Sequence, residues 1–520
     1  MSSRPQTPPG SAPIAIVGIG CRFPGGIVDP SSFWQVVANG VDAITEIPAE
    51  RFDVARFFHP KAGKRGRIST RWGGFVEQPL DQFDALFFGI SRSYAERLDP
   101  QHRLVLETSW EAMEDAGLDI GALDGSRTAV FVGQWVSDFE HQVFADTSNI
   151  DFQMAMGSGR YAAAGRVSFA FGFRGPCLSI DAACSSGLAS VHLAVQSLRT
   201  GESALALAGG VNLILEPHIH LAYSYSRMMA PDGRCRFGDA AGAGYVRAEG
   251  AGMVVLKRLD DALANGDRVY AVIRGSAVNS DGDSSGALGR PSRIGQEELI
   301  RSALKDGGVH QSQLTYVEAH GTGTKVGDPV ELDALATVLA DERPVAASPT
   351  WVGSVKTNLG HSEAAAGVAG LIKAALMMQH GLIPPSLHFV TPNPEIAWAT
   401  MPIAIPTTLM AWPAVDGERY AGVSSYGIGG TNAHVVLQGA AYPGMEPADE
   451  PVDARAQLMV VSGHTRDALR ARIAKMADWL EDGDGAALPL HVSARTAAVR
   501  RDHFSHRASA VGATPATVAV

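Results

Sequence analysis

The chain has 520 residues, 46% hydrophobic and 19% charged, with a formal net charge of −11; it is long enough for a large core and more than one domain, and too acidic for a nucleic-acid binder. No apolar run approaches a membrane span and no signal-peptide core opens the sequence, so no membrane is expected and the cytoplasm is the expected setting. Cys21, Cys177, Cys184 and Cys235 make neither a disulfide framework nor a CxxC metal site, which fits a reducing compartment.

Residues 1–12 are polar and rich in Pro and Ser, the composition of a disordered leader. Ile14–Gly20 reads as a buried strand running into a glycine turn. Gly18-x-Gly20 has Phe23 where a dinucleotide fingerprint needs its third glycine, so a structural turn is expected. A helix over Ser32–Asn39 takes its cap from the serines after Pro30. Residues 58–73 form a basic, glycine-punctuated loop, expected to be a solvated excursion, with docking of an acidic partner as the alternative. A helix over Gln101–Ala116 and a strand at Thr128–Gly133 follow.

The next stretch organises the chain. Leu178, Ile180 and Ala182 alternate as in a short buried strand, and Leu188, Val191, Val195 and Leu198 fall at helical spacing, with Gly201 to close the helix. Cys184 therefore stands on a strand-to-helix corner among the small residues Ala183, Ser185, Ser186 and Gly187. Free N–H groups and the positive end of the helix dipole are expected to favour its thiolate, as in a nucleophile elbow. A lone thiol among small residues also reads as buried packing, so partners elsewhere must decide. Ala204–Asn212, Met253–Lys257 and Val269–Arg274 read as further strands. His218 and His220 alternate in a strand-like or loop stretch, where surface or packing roles are favoured over metal binding.

Three strands of the second half end in polar turns: Thr315–Thr324 carries His320, Trp351–His361 carries Lys356 and His361, and Ala421–Asn432 runs into the turn Gly427–Gly430. Strand ends are where α/β folds build their sites. A cysteine nucleophile with two histidines suits carbon–carbon bond formation on thioesters: two imidazole N–H groups can hold an enolate oxygen. The amide of Cys184 and one from the Gly427–Gly430 turn can form a separate oxyanion hole. Residues 440–456 are acidic and aperiodic, a linker. Residues 457–520 read as a small second domain, with a strand at Leu458–Val461 and an amphipathic helix over Arg466–Leu480. That helix takes Thr465 as N-cap and Leu469, Ile473, Met476 and Leu480 as its apolar stripe.

The segments Asp181-Ala-Ala-Cys184-Ser-Ser, His320-Gly-Thr-Gly-Thr-Lys-Val-Gly-Asp-Pro-Val-Glu331, Lys356-Thr-Asn-Leu-Gly-His361 and Gly429-Gly-Thr-Asn-Ala-His434 resemble those of β-ketoacyl synthases, and among these the ketosynthase domains of type I modular polyketide synthases. The opening Ile14–Gly20, Arg22-Phe-Pro-Gly-Gly26 and Asp99-Pro-Gln-His-Arg103 look the same way. The resemblance covers about residues 13–439, and residues 457–520 resemble the small α/β linker domain that follows such ketosynthases, here expected to be incomplete. It implies a thiolase-like α/β fold of two similar halves in five αβαβα layers, paired as a homodimer. It also implies Cys184 as the acylated nucleophile, His320 and His361 as the groups for decarboxylation and the enolate, Lys356 and Glu331 as a supporting ion pair, and the amide of Ile428 as the second oxyanion donor. No cofactor is expected to be bound directly: substrates would arrive on the phosphopantetheine of an acyl carrier protein, with an acyltransferase domain in cis or in trans.

The chain departs from the family pattern at Gly187, where a serine is common, at Tyr426 and Ile428, where phenylalanines are common, and at Ala241-Gly-Ala-Gly-Tyr245. A fatty-acid-type synthase and a non-elongating acyl-transfer synthase remain alternatives, the second disfavoured by the two histidines. A thiolase would want a second late cysteine, and a carrier-docking scaffold would take up no acyl group.

Overall fold

A computed structural model describes residues 12–341, 348–439 and 455–519. The expected leader, apart from Ala12, and most of the expected linker 440–456 lie outside the described residues. Eleven strands form one sheet: β1 (Ile14–Arg22), β2 (Ala129–Gln134), β3 (Cys177–Ile180), β4 (Leu205–Asn212), β5 (Gly250–Arg258), β6 (Ala271–Ser280), β7 (Leu314–Glu318), β8 (Thr350–Gly353), β9 (Ile403–Ala404), β10 (Tyr420–Tyr426) and β11 (Thr431–Gln438). Their order is β9-β8-β7-β10-β11-β6-β1-β5-β4-β2-β3.

That order contains a duplication. Outward from the centre, the first half runs β1-β5-β4-β2-β3 and the second runs β6-β11-β10-β7-β8, with β9 added at the far edge. In each half the first two pairings are antiparallel and the next two parallel. The halves join where β1 meets β6 over three residue pairs, Ile14↔Ile273 to Ile16↔Ala271. Strands covered on both faces need near-continuous apolar runs, and β1, Ile-Ala-Ile-Val-Gly-Ile-Gly-Cys-Arg, is buried at every residue but Arg22.

The longer helices of the main body are α1 (Pro30–Ala38), α2 (Pro100–Asp115), α3 (Ala162–Phe171), α4 (Ser186–Arg199), α5 (His218–Tyr225), α6 (Arg293–Gly307), α7 (Gly327–Ala340) and α8 (Ala366–His380). α4 and α8 form the middle layer. Each touches strands of both halves, and α8 is buried from Ala366 to Met378, as a helix enclosed between the two halves of the sheet must be. α2 and α3 cover the outer face of the first half, and α6 and α7 that of the second. The result is five layers, αβαβα.

Several local expectations change. The cap of α1 is Asp29, whose carboxylate accepts from Ser32 N while the Ser32 hydroxyl accepts from Asp29 N; Pro30 occupies the first turn, where its missing N–H costs nothing. The strand before Cys184 is the outermost of the sheet, with Leu178 53% exposed rather than buried. His218 and His220 open a helix, α5, not a strand or loop, and His220 is buried against Arg247. The basic stretch 58–73 is anchored rather than free: Ile68, Ser69 and Thr70 are buried, and Gly63 N and Ser69 N donate to Ser224. Among the described residues no helix is long and apolar enough to cross a membrane.

Residues 455–519 build a small α/β unit in which β12 (Gln457–Gly463) pairs antiparallel with β13 (His506–Gly512), beside α9 (Arg466–Glu481) and α10 (Leu490–Val499). Thr465 caps α9 as its sequence predicts, but Ile473 is 41% exposed and the stripe shifts to Met476, Trp479 and Leu480, packed on Met459 and Leu490. The unit is fastened to the main body by Asp502, whose carboxylate accepts from Ile120 N and Gly121 N, by an Arg472–Glu114 ion pair, and by Phe504 against Trp110 and Phe87.

Candidate active site

Cys184 lies in a 3-10 turn, Ala183–Ser185, directly before α4. Ala183 has φ +52°, a left-handed conformation that an alanine rarely adopts, and it aims the next side chain out of the corner. The turn is tied down by Ser186 Oγ, which accepts from Ala182 N, and by Ser425 Oγ, which donates to Cys184 O at 2.9 Å. The duplicated half repeats the device. After β8 a 3-10 turn, Glu363–Ala365, leads into α8, and Glu363 has φ +47°. Ala364 thus holds the place that Cys184 holds in the first half.

A cavity of about 800 Å³ opens on Cys184, and His320, His361, Tyr426 and Ile428 line it with Glu331. Cys184 lines this cavity and is half-buried. Burial and the nearby Glu363 carboxylate push its thiol up to about 12, against Lys356 and the amide N–H groups of Ile428 and Cys184, which favour the thiolate. The expectation of a resting thiolate is therefore overturned. The amides do act in the expected direction, but the loss of hydration outweighs them.

His320 follows β7 and His361 follows β8, and their rings stand 5.2 Å apart, nearly perpendicular. In each, the backbone fixes the tautomer: Tyr426 N donates to His320 Nδ1 at 3.3 Å, and Glu363 N to His361 Nδ1 at 3.1 Å. With Nδ1 an acceptor in both, each neutral ring carries its proton on Nε2. Burial, first, and the Lys356 ammonium, second, hold both well below the usual histidine range, so both are neutral donors.

Glu331, on α7, accepts from His320 N at 2.7 Å and Gly321 N at 2.8 Å and so anchors the first histidine turn. Burial raises its carboxyl to about 7. Lys356, fully buried at the start of the second turn, is lowered by the same loss of hydration, opposed by Glu318 and then Glu331. The two make no direct ion pair, which corrects the expectation; Glu331 has one backbone N–H on each oxygen instead.

The ion pair near the histidines is a different one. Lys373 of α8 donates to Glu318 Oε2 at 2.7 Å and Tyr316 Oη at 3.0 Å, and Glu318 Oε1 accepts from Val355 N. Glu318, two residues before His320, thereby holds the residue before Lys356. A second pair, Arg247–Glu363, is buried beside His361. Sequence reasoning passed over all four residues. The signal was present as charges inside apolar runs: Lys373 in Val-Ala-Gly-Leu-Ile-Lys-Ala-Ala-Leu, Glu318 in Thr-Tyr-Val-Glu-Ala, Arg247 in Gly-Tyr-Val-Arg-Ala.

A family model described as the β-ketoacyl synthase N-terminal domain matches residues 11–262, its C-terminal domain matches 270–390, and a ketoacyl-synthetase C-terminal extension matches 392–511. The chain is 46% identical over 485 residues to one component of the phenolphthiocerol/phthiocerol polyketide synthase of Mycobacterium tuberculosis (strain H37Rv), covering 93% of this chain and 31% of that protein. With another component of the same synthase and strain it shares 47% over 484 residues, 93% and 26% of the two chains. The chain thus spans about a third or less of these relatives. Among solved structures, the oxazolomycin ketosynthase domain OzmH KS7 of Streptomyces albus JA3453 superposes with a TM-score of 0.91 at 35% identity, over 98% of this chain and 87% of that one. The ketosynthase from module 6 of the bacillaene synthase of Bacillus subtilis 168 gives 0.86 at 36% identity, over 97% and 83%. On the family matches, the layered duplicated fold and these superpositions together, the chain belongs to the β-ketoacyl synthase family, among the ketosynthases of polyketide synthases.

Proposed function

We propose that the chain condenses an acyl group held on Cys184 with a malonyl-type extender, both delivered on the phosphopantetheine of an acyl carrier protein. The observation that carries this reading is the pair of backbone-fixed tautomers at His320 and His361, which gives the cavity beside Cys184 two neutral N–H donors. In the first step Cys184 Sγ attacks the incoming acyl thioester. A bond forms between Sγ and the acyl carbon, the bond to the pantetheine sulfur breaks, and the thiol proton leaves with that sulfur. The N–H groups of Cys184 and Ile428 hold the tetrahedral oxyanion. In the second, the extender's bond to its free carboxylate breaks and carbon dioxide departs. The electron pair forms an enolate whose oxygen takes hydrogen bonds from His320 and His361 Nε2. The enolate carbon then attacks the acyl carbon, the bond to Sγ breaks, and the departing thiolate takes up one proton from solvent. Glu331 supports this by fixing the His320 turn, and the Lys356 ammonium by helping to keep both rings neutral.

The working unit is a cytoplasmic homodimer, its extender supplied through an acyltransferase in cis or in trans. Support for a second copy comes from the edge of β3, which pairs with no further strand among the described residues, where Leu178 is exposed and Phe169 of neighbouring α3 is 91% exposed. An unpaired edge flanked by large apolar side chains needs a cover. Substituting Leu178→Lys is expected to yield monomers in sedimentation; an unchanged dimer would refute this face as the contact.

Intact-mass measurement after treatment with an acyl-pantetheine thioester tests the whole reading. One acyl mass is expected on the parent and none on Cys184→Ala. His361→Ala is expected to be acylated normally and to release carbon dioxide from a malonyl thioester at least about a hundredfold more slowly. Full elongation by that variant would sink the assignment, and acylation of the parent without any decarboxylation would make it a non-elongating synthase.

A further inference from the structure

His361 is gripped at more points than simple packing needs, and the grip comes from one short segment of the other half. His361 N donates to Val246 O at 2.7 Å, and Ala248 N donates to His361 O at 2.8 Å, so residues 246–248 pair with its main chain as a strand would. Between these two contacts lies Arg247, wholly buried, whose guanidinium meets the Glu363 carboxylate with two parallel bonds of 2.6 and 2.8 Å. Its remaining reach goes to His220 Nδ1 at 3.0 Å. Glu363 is the residue whose N–H fixes the His361 tautomer, and it sits at φ +47°, where a side chain with a Cβ is strained. A strained residue persists only where its surroundings hold it.

We propose that the buried Arg247–Glu363 pair is a positioning device for His361, holding the left-handed turn so that the Glu363 N–H stays on Nδ1 and the ring proton stays on Nε2. The proposal rests on the ketosynthase reading above, since only the decarboxylation and condensation steps need that proton. The same geometry explains why so costly a pair is kept. A buried ion pair adds little stability over apolar side chains of the same size, and the Glu363 charge opposes the Cys184 thiolate. What it supplies is direction: a bidentate guanidinium fixes both the distance and the plane of the carboxylate, and with them the peptide that caps the ring.

Two variants test this, each read in three ways: carbon dioxide release from a malonyl-pantetheine thioester, acyl loading of Cys184 by mass, and Cys184 alkylation by iodoacetamide across pH. Glu363→Gln is expected to slow carbon dioxide release about tenfold or more while loading stays within about threefold. Its alkylation profile should move to lower pH, because a carboxylate charge that disfavours the thiolate is gone while Lys356 and the amides of Ile428 and Cys184 remain. Should the uncharged amide leave Arg247 stranded and the chain unfolded, the paired replacement Arg247→Met with Glu363→Leu removes both charges and is expected to fold, load normally and decarboxylate poorly. Carbon dioxide release at the parent rate from a folded variant would overturn the proposal, as would loading and decarboxylation falling in parallel, the sign of a purely structural pair. A parent chain that loads no acyl group at all would instead overturn the ketosynthase reading, and the proposal with it.

Discussion

At the scale of single residues, the environment of Cys184 sets how the enzyme begins. A thiol raised to about 12 by burial and by Glu363 is almost wholly protonated at neutral pH. Alkylation of Cys184 by a small neutral reagent should therefore climb close to tenfold per pH unit between about pH 7 and 10, with no plateau; a plateau near pH 7 would mean a resting thiolate. The neighbouring carboxylate has a separate task. Glu331 accepts two N–H groups, and Glu331→Gln turns one acceptor into a donor facing a donor. A loss of about tenfold in condensation is expected, with loading of Cys184 spared; unchanged turnover would reduce Glu331 to packing. Ile428 contributes its amide whatever its side chain, so Ile428→Phe should spare loading with straight acyl groups and penalise α-branched ones by narrowing the cavity it lines; equal losses for both would contradict this.

At the scale of elements, the elbow depends on contact between the two 3-10 turns. A Cβ on Gly187 would lie 2.7 Å from Ala364 O, and one on Gly210 would lie 2.4 Å from the same oxygen. Both obstacles are backbone, so Gly187→Ala is expected to cost about 1–3 kcal/mol in urea unfolding and to slow acyl loading; a variant as stable as the parent would show that the turns can part. The elbow itself was legible: alternation up to Ala182, helical spacing from Leu188 and small residues between them place Cys184 within the described turn. The histidines were legible too, as strand ends with glycine. What could not be read was anything set by distant neighbours. The same alternation serves a central strand or an edge strand, so the exposure of Leu178 had no local signature. The pull of Glu363 on the Cys184 thiol comes from the opposite half, beyond any helix-end argument. The α1 cap was placed on the serines after Pro30 rather than on Asp29, because Asp29 and Ser32 satisfy each other's N–H groups.

At the scale of the molecule, the family motifs led to the layered fold and its two halves, yet no repeat is visible in the residues themselves, because the duplication lives in hydrogen-bond order. Cys-Leu-Ser-Ile of β3 and Thr-Trp-Val-Gly of β8 share no residue at equivalent positions. Asp502 holds two N–H groups of the main body, so Asp502→Ala should speed hydrogen exchange at Ile120 and Gly121 and leave the sheet protected; unaltered exchange would shift the attachment to the Arg500 contacts and the Phe504 aromatic cluster. The middle layer has a consequence for how the chain is made. On the ribosome β1 must wait for β5, its long partner, before the first half can close. Even then α4 presents to water the face that α8, β6 and β11 will later cover. The nascent half is a sticky object carrying the future nucleophile on its exposed side, and it stays so until the strands and helix of the second half emerge. Synthesis rate and chaperone supply, more than the finished protein's stability, would then govern yield when this chain is produced away from its native host.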